Sequence, residues 1–386
     1  MIMNEIKIAI FGGFRGMTFY PIISSTPGFS VCAICDARAE TREEVIKKVG
    51  EGVLVCESFE ELLASKPDAV ILANYFHQHA LYAMKAMEAG IDVISETTAA
   101  PTLGECLDLV ECCERTGRKY MLAANCPTMV GPGELMRVYK SGELGEVLYA
   151  EAEYLHHFSE EDELIFAPHE NHWRRYLPGT YYNMHTLGVL MTATGLSPRR
   201  VTAMEIFTES NRNKKSVYKN KSTGSIALYE MDNGSVFRST GVLNVGPSCK
   251  WFRLTCEGGT IETTRENQDR ILFRRQDKAR GSIQYDPENQ YTKEEKKGGH
   301  GGADSRLCKQ ICDYLSGAVD EPLLDIYRGV TLSLAGIYGH LSVLEGKTYD
   351  IPDIKDKEAR ECLRGDYRTP FPNDEGKASL PFGRHN

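Results

Sequence analysis

Short apolar runs alternate with longer stretches of helical spacing through the first part of the chain. Lys7-Ile-Ala-Ile-Phe11, Val31-Cys-Ala-Ile-Cys35, Gly52–Cys56, Ala69-Val-Ile-Leu-Ala73, Asp92-Val-Ile-Ser-Glu96 and Tyr120-Met-Leu-Ala-Ala124 read as strands, most of them apolar on both faces and so buried on both. Between them Met17–Ile23, Thr41–Val49, Phe59–Ala64, Ala80–Ala89 and Thr102–Thr116 read as helices, with Gly90 and Gly117 as C-caps of the last two. The alternation predicts a doubly wound parallel sheet over residues 1–124, with its site at the carboxyl ends of the strands. Those ends carry Gly12, Asp36, Asn74, Glu96 and Asn125.

From residue 125 the period changes. After one more helix, Gly133–Tyr139, the stretches Glu146–His156, Arg200–Phe207, Gly224–Met231, Ser235–Leu243, Trp251–Cys256 and Arg270–Phe273 alternate apolar with polar residues. That is the pattern of an antiparallel sheet with one solvated face. Asp232-Asn-Gly234 reads as a hairpin turn, Gln276–Gly299 as a charged loop or linker, and Ala303–Ser316 and Ile326–Leu344 as closing helices. The polar tail from Lys355 to Asn386 is expected to wrap a neighbouring surface or subunit. Two α/β domains are expected, 1–124 and 125–386.

Composition narrows the partners. Among 386 residues, 45 basic and 54 acidic side chains leave a net charge of −9, which disfavours nucleic acid and anionic membrane surfaces. No apolar run reaches membrane-spanning length, and Met1-Ile-Met-Asn-Glu lacks a signal-peptide pattern. The 12 cysteines sit mostly in apolar strands and helices (Cys32, Cys35, Cys112, Cys308, Cys312), in no zinc or disulfide spacing. Free buried thiols point to a reducing cytoplasm. Six of the 10 histidines fall between His156 and His300, yet His169-Glu-Asn-His172 is not the H-E-x-x-H arrangement, and no metal is expected.

The candidate chemistry begins at Gly12-Gly13-Phe14-Arg15-Gly16, between the first strand and first helix. Strand, glycine-rich turn, helix, strand and acid form the opening βαβ unit of a dinucleotide-binding fold, although the glycine spacing departs from G-x-G-x-x-G. Gly12 and Gly13 let the backbone approach a pyrophosphate, and Asp36 is placed to bind an adenosine ribose and repel a 2′-phosphate. NAD is therefore the expected cofactor. His79 either caps the helix after the fourth strand or belongs to the cofactor site. Tyr182 and His185, three residues apart, share a face if their stretch is helical. A neutral histidine with a pKa near ~6.5 is a suitable base for a substrate hydroxyl. No carboxylate pair of the conventional glycosidase kind stands out.

Several motifs together resemble the Gfo/Idh/MocA oxidoreductases. Asn74-Tyr75-Phe76-His77-Gln-His79 is similar to that family's T-P-N-H-x-H, and Ala89-Gly-Ile-Asp-Val-Ile-Ser-Glu96 to its A-G-K-H-V-x-x-E. Ser141-Gly-Glu-Leu-Gly-Glu146 and Ile351-Pro-Asp353 match later landmarks. The resemblance implies a Rossmann domain joined to an α/β domain with a large, open, mainly antiparallel sheet, acting as a homodimer or homotetramer. The family's E-K-P is Glu96-Thr97-Thr98 here, so its lysine is absent. Gly179-Thr-Tyr-Tyr-Asn-Met-His185 replaces the family's aspartate-and-histidine helix.

Both departures resemble one branch, the NAD-dependent α-N-acetylgalactosaminidases of glycoside hydrolase family 109. Thr102-Leu-Gly-Glu-Cys106, Lys119–Cys126, Ala150–His156, Trp173-Arg174, Tyr182-Asn-Met-His185 and Gly299-His300-Gly-Gly-Ala-Asp304 resemble that branch's motifs. Two positions differ: Tyr182-Asn-Met-His185 lacks the branch's Y-P-T-H, and Ala124 replaces a glutamate. The resemblance places cofactor contacts at Phe14, Arg15, Asp36, Asn74, Tyr75, Phe76, His77, Glu96, Thr97 and Asn125. It places substrate contacts at Tyr154, Arg174, Tyr182 and His185. It also implies redox-neutral cleavage, in which transient oxidation of a pyranoside 3-hydroxyl acidifies the C2 proton and lets the anomeric group leave. A second acid/base is then needed, and His300 or Tyr154 can serve. Three readings follow: such a glycoside-cleaving oxidoreductase on a small carbohydrate, a sugar or inositol dehydrogenase that releases NADH, or a nonenzymatic NAD(H)-binding sensor.

Overall fold

Ile8, Ala9 and Ile10 have no exposed surface, as a strand apolar on both faces requires. They lie in the middle of a six-stranded sheet in the computed structural model, which describes residues 5–207, 216–219, 222–243, 246–277, 281–373 and 375–384. The chain divides into two compact units, Met1–Asn125 with Tyr291–Val330, and Cys126–Gln290 with Thr331–Asn386.

In the first unit the strands are β1 (Ile6–Phe11), β2 (Phe29–Cys35), β3 (Leu54–Cys56), β4 (Ala69–Leu72), β5 (Asp92–Ser95) and β6 (Tyr120–Leu122). All pair in parallel, in the order β3-β2-β1-β4-β5-β6. This is the doubly wound order of dinucleotide-binding sheets, with its switch point between β1 and β4. Leu307, Cys308, Ile311 and Cys312 of the helix Ala303–Ser316 join Ile8, Ile10, Phe19 and Ile34 in one core, which is why that late segment belongs to this unit.

The helix expected over Met17–Ile23 is instead two short ones, Gly13–Gly16 and Tyr20–Ser24. Pro21, within the first turn of the second, has no N–H to continue the first helix but suits the start of a new one. The helix Leu103–Thr116 runs as expected, from Thr102, whose hydroxyl caps the Glu105 amide, to Gly117 in the left-handed conformation.

The second unit is built on β7 (Val147–His156), β8 (Pro198–Phe207), β9 (Ser222–Met231), β10 (Val236–Leu243), β11 (Cys249–Cys256), β12 (Gly259–Thr263), β13 (Ile271–Arg275), β14 (Ser282–Tyr285) and β15 (Tyr349–Asp350). Their order is β14-β13-β12-β11-β7-β10-β9-β8-β15, antiparallel throughout except where β7 runs parallel to β10. The Asp232–Gly234 turn joins β9 to β10 as expected, with Gly234 at φ 82° and the Asn233 side-chain oxygen accepting from the Ser235 amide at 3.0 Å. Gln276–Gly299 is not wholly loop: it contains β14, whose Ile283 is 55% exposed. An edge strand with little buried alternation leaves a weak period-two signal.

The Gly179–His185 turn and the helix Leu187–Thr194 pack on this sheet. The tail returns to its own unit, with Phe371 buried against Tyr181 and the Pro381 carbonyl 2.8 Å from His340 Nε2. Burial lowers the His340 pKa to about 4. Among the described residues no helix is long and apolar enough to cross a membrane.

Candidate functional site

In the first unit the turn after β1 closes against β4. Gly12 sits at φ 102°, and a Cβ there would lie 2.3 Å from the Ala73 carbonyl oxygen, so only glycine fits. The Gly13 amide donates to Asp36 Oδ2 at 2.9 Å, tying the turn to the acid that ends β2. Asp36 Oδ1 also accepts from the Arg38 amide and Nε, at 2.9 and 3.2 Å. The Arg38 guanidinium stands 5.9 Å from the ring of Phe14, which is 61% exposed. At the end of β4 both amide atoms of the Asn74 side chain are buried without a hydrogen-bond partner. A tight glycine turn beside an acid, together with an unsatisfied carboxamide at the switch point, suits a dinucleotide that brings its own donors and acceptors.

Other cofactor candidates cluster around Asn74. Tyr75 is exposed and stacks on His77, whose pKa burial lowers to about 4, whereas Phe76 is buried in the core. The His79 ring lies between two carbonyls, Nδ1 3.1 Å from Thr98 O and Nε2 3.2 Å from Asn74 O. Burial lowers its pKa, and the neutral ring has one N–H, so it donates to only one of the two carbonyls at a time. The Thr97 amide faces Glu96 Oε2 at 3.3 Å, and the Thr97–Thr98 peptide is cis.

An ionic network converges on Asp304, which the sequence places at the end of the Gly299–Asp304 motif without assigning it a cofactor or catalytic role. Its side chain is wholly buried; Oδ2 accepts from Arg15 Nη1 at 3.2 Å and lies 2.8 Å from His300 Nδ1, while Oδ1 accepts from Asn125 Nδ2 at 3.1 Å. Arg15 also reaches Glu96 Oε1 at 2.7 Å. Burial alone would raise the Asp304 pKa, but the His300 hydrogen bond and the Arg15 charge hold it well below the usual carboxylate range. The structure therefore brings Arg15, Glu96, Asn125 and His300 together around Asp304. The signal was present in sequence as an acid four residues after His300 at the start of a helix.

The second unit carries its own cluster. The Gly179–His185 turn is a 3₁₀ segment broken at Tyr182, which turns the Tyr182 and His185 rings toward each other at 4.6 Å between centroids. Tyr154, from the buried face of β7, stacks on His185 at 4.6 Å and 18°. Thr186 Oγ1 to Ser239 at 2.6 Å and Asn183 Nδ2 to Leu332 O at 3.1 Å fasten the turn. Behind His185, Cys126 Sγ lies 3.1 Å from Nδ1, a contact that sequence reasoning did not single out. Burial pushes the Tyr154 pKa well up, so its phenol stays protonated. Arg174 stacks on Trp173 at 4.7 Å and Phe166 at 5.7 Å. Burial works against its charge, yet the phenols of Tyr182, Tyr218 and Tyr154 raise its pKa overall. His300 belongs to the first unit, and Tyr154, Arg174, Tyr182 and His185 to the second.

The sheet order, the glycine turn at the switch point and the acid that ends β2 are those of a dinucleotide-binding Rossmann domain. Residues 6–124 match the model described as "Oxidoreductase family, NAD-binding Rossmann fold" (GFO_IDH_MocA). Over that stretch the chain is similar to the Gfo/Idh/MocA NAD-binding oxidoreductases, and it is also similar to glycosyl hydrolase family 109 proteins. One such protein, from Saccharopolyspora erythraea, is 28% identical over 206 residues, 48% of this chain and 43% of that protein. This chain thus spans less than half the length of that relative. A second, from Solibacter usitatus, is 25% identical over 388 residues, covering 89% of this chain and 86% of the relative. An oxidoreductase from Agrobacterium radiobacter, solved with NAD+, L-tartaric acid and magnesium, shares the fold at a TM-score of 0.75 and 18% identity, over 90% of this chain and 99% of that one.

Proposed function

We propose that this protein is an NAD-dependent oxidoreductase acting on the C3 hydroxyl of a pyranoside, as part of redox-neutral glycoside cleavage. The observation that carries the reading is the Tyr154–Tyr182–His185 ring cluster with Cys126 behind it, a histidine fixed by neighbours on two sides. With the Nδ1 proton directed at Cys126 Sγ, His185 Nε2 keeps the lone pair that takes the hydroxyl proton. Tyr182, beside it, donates to a sugar oxygen, and Tyr154 presents a flat ring for the apolar face of the pyranose. NAD, when bound, supplies the hydride acceptor, held by Gly12, Gly13, Asp36 and the Asn74–His79 segment. His300, aligned by Asp304, is the second acid/base in this reading. The reading includes a cytoplasmic homodimer or homotetramer.

The test is a screen of NAD-loaded protein against aryl α- and β-glycosides, following aglycone release and nicotinamide absorbance together. Release without accumulating NADH, abolished by His185→Ala, is expected. Steady NADH growth with the glycoside intact would make the protein a dehydrogenase, and silence in both channels with NAD still bound would favour a sensor.

A further inference from the structure

The two faces of β7 treat arginine differently. On one face Glu151 and Glu153 pair with Arg238 at 2.8 and 2.9 Å and with Arg253 and Arg265 respectively, and nearby Glu262 takes Arg274 at 2.6 Å. Each of those cations has a carboxylate. On the other face, beside Tyr154, Arg174 forms no ion pair among the described residues. Its guanidinium stacks on Trp173 and Phe166 and interacts with the phenol of Tyr182, and its Nε is buried without a hydrogen-bond partner. The Tyr218 hydroxyl, on a side chain only 4% exposed, lies within electrostatic reach of that guanidinium but makes no hydrogen bond of ordinary geometry. Glu163, buried in the same unit, accepts at Oε2 from the Val217 amide at 3.0 Å. A second cation, Lys250, pairs opposite Tyr154 in the β7–β11 register and stands 5.7 Å from its ring.

A lysine in such a place can shed its proton, but an arginine cannot, so its charge must be answered. Arg174 is half-buried rather than sealed from water, but its Nε is shut off without a partner, and phenol hydroxyls offset only part of that cost. A neutral sugar hydroxyl would add one more weak acceptor, whereas a carboxylate or sulfate oxygen pair matches the guanidinium fork. We infer that the sugar bound beside Tyr154 carries a negative charge, as a carboxylate or a sulfate ester, received by Arg174 with Lys250 as the outer cation. This rests on the reading that the Tyr154–Tyr182–His185 cluster holds the sugar.

The experiment is calorimetric titration of NAD-loaded protein with matched gluco- and galacto-configured nitrophenyl glycosides bearing hydroxymethyl, carboxylate or sulfate at C6. At least tenfold tighter binding of a charged member is expected, shrinking below about twofold in Arg174→Gln. Whether carboxylate or sulfate gains more identifies the group. The milder Tyr218→Phe, with melting as a folding control, is expected to reduce the preference severalfold. Neutral members binding as tightly as charged ones would overturn the inference while leaving a sugar oxidoreductase standing. If no glycoside binds, inorganic sulfate at constant ionic strength is titrated against Trp173 fluorescence in a Trp251→Phe background. Saturable quenching lost in Arg174→Gln supports the anion site and counts against the sugar reading, and its absence overturns the inference.

Discussion

Asp304 is the most exposed to test of the charges described above, because its neighbours depend on it. Replacing it by alanine removes the partner of Arg15, His300 and Asn125 at once and leaves the Arg15 guanidinium with Glu96 alone. The Asp304 side chain is wholly buried and that of Arg15 is 28% exposed, so solvent screens the pair only in part. Breaking such a buried pair from one side costs about 3–5 kcal/mol. For a unit of this size that lowers the melting temperature by roughly 6–20 °C, taking about 2–4 °C per kcal/mol. Asp304→Asn, which keeps the shape and some hydrogen bonds, should fall between alanine and wild type.

The sign of the pH dependence follows from the depressed Asp304 pKa. The contribution is fully present above the unfolded value near ~3.9 and is lost as pH falls toward the folded one, so the gap between wild type and Asp304→Asn narrows below about pH 4. Trp173 and Trp251 both lie in the second unit, so tryptophan fluorescence does not report this loss. Calorimetric melting combined with hydrogen exchange over residues 6–16 and 300–312 does. An Asp304→Ala protein within 0.5 kcal/mol of wild type, by the ordinary tolerance of surface substitutions, would refute the assignment of Asp304 as the organising charge.

Gly12→Ala, at φ 102° and with its new methyl 2.3 Å from the Ala73 carbonyl, should destabilise the first unit by roughly 2–3 kcal/mol and abolish NAD binding in a fluorescence titration. Asp36→Ser should weaken NAD about tenfold and relax discrimination against NADP, measured by parallel titrations with melting as the control for its lost Gly13 and Arg38 contacts. Cys126→Ala should redistribute the His185 tautomers seen by nitrogen NMR and cut turnover about fivefold, equivalent to ~1 kcal/mol, while Cys126→Ser retains most of both.

What the sequence disclosed followed the range of the signal. The strands of the first unit announced themselves because burial on both faces makes their apolar runs continuous, and Asp36 was found from its spacing to the glycine turn. Tyr182 and His185 could be paired because three residues of any helical turn bring side chains together, even in the broken turn observed. Arg15 and Asp304 are 289 positions apart, and no local period connects them. The Cys126–His185 contact spans 59 positions and is made by a side chain that reads as one more core thiol. The helix start after Gly12 is not legible in the sequence, because Pro21 marks a break only where the preceding turn is itself helical.

The central position of β7 has a consequence during synthesis. Its partners β10 and β11 lie about 90 residues further along, so at ~5–20 residues per second the strand waits some seconds for either neighbour. Val147, Tyr149, Tyr154 and Leu155 would make an unpaired segment of that kind prone to self-association. Glu151 and Glu153 interrupt it with charge in that interval, as gatekeeper residues do. The carboxylates that end as arginine partners in the finished sheet thus also guard the nascent chain before those arginines exist.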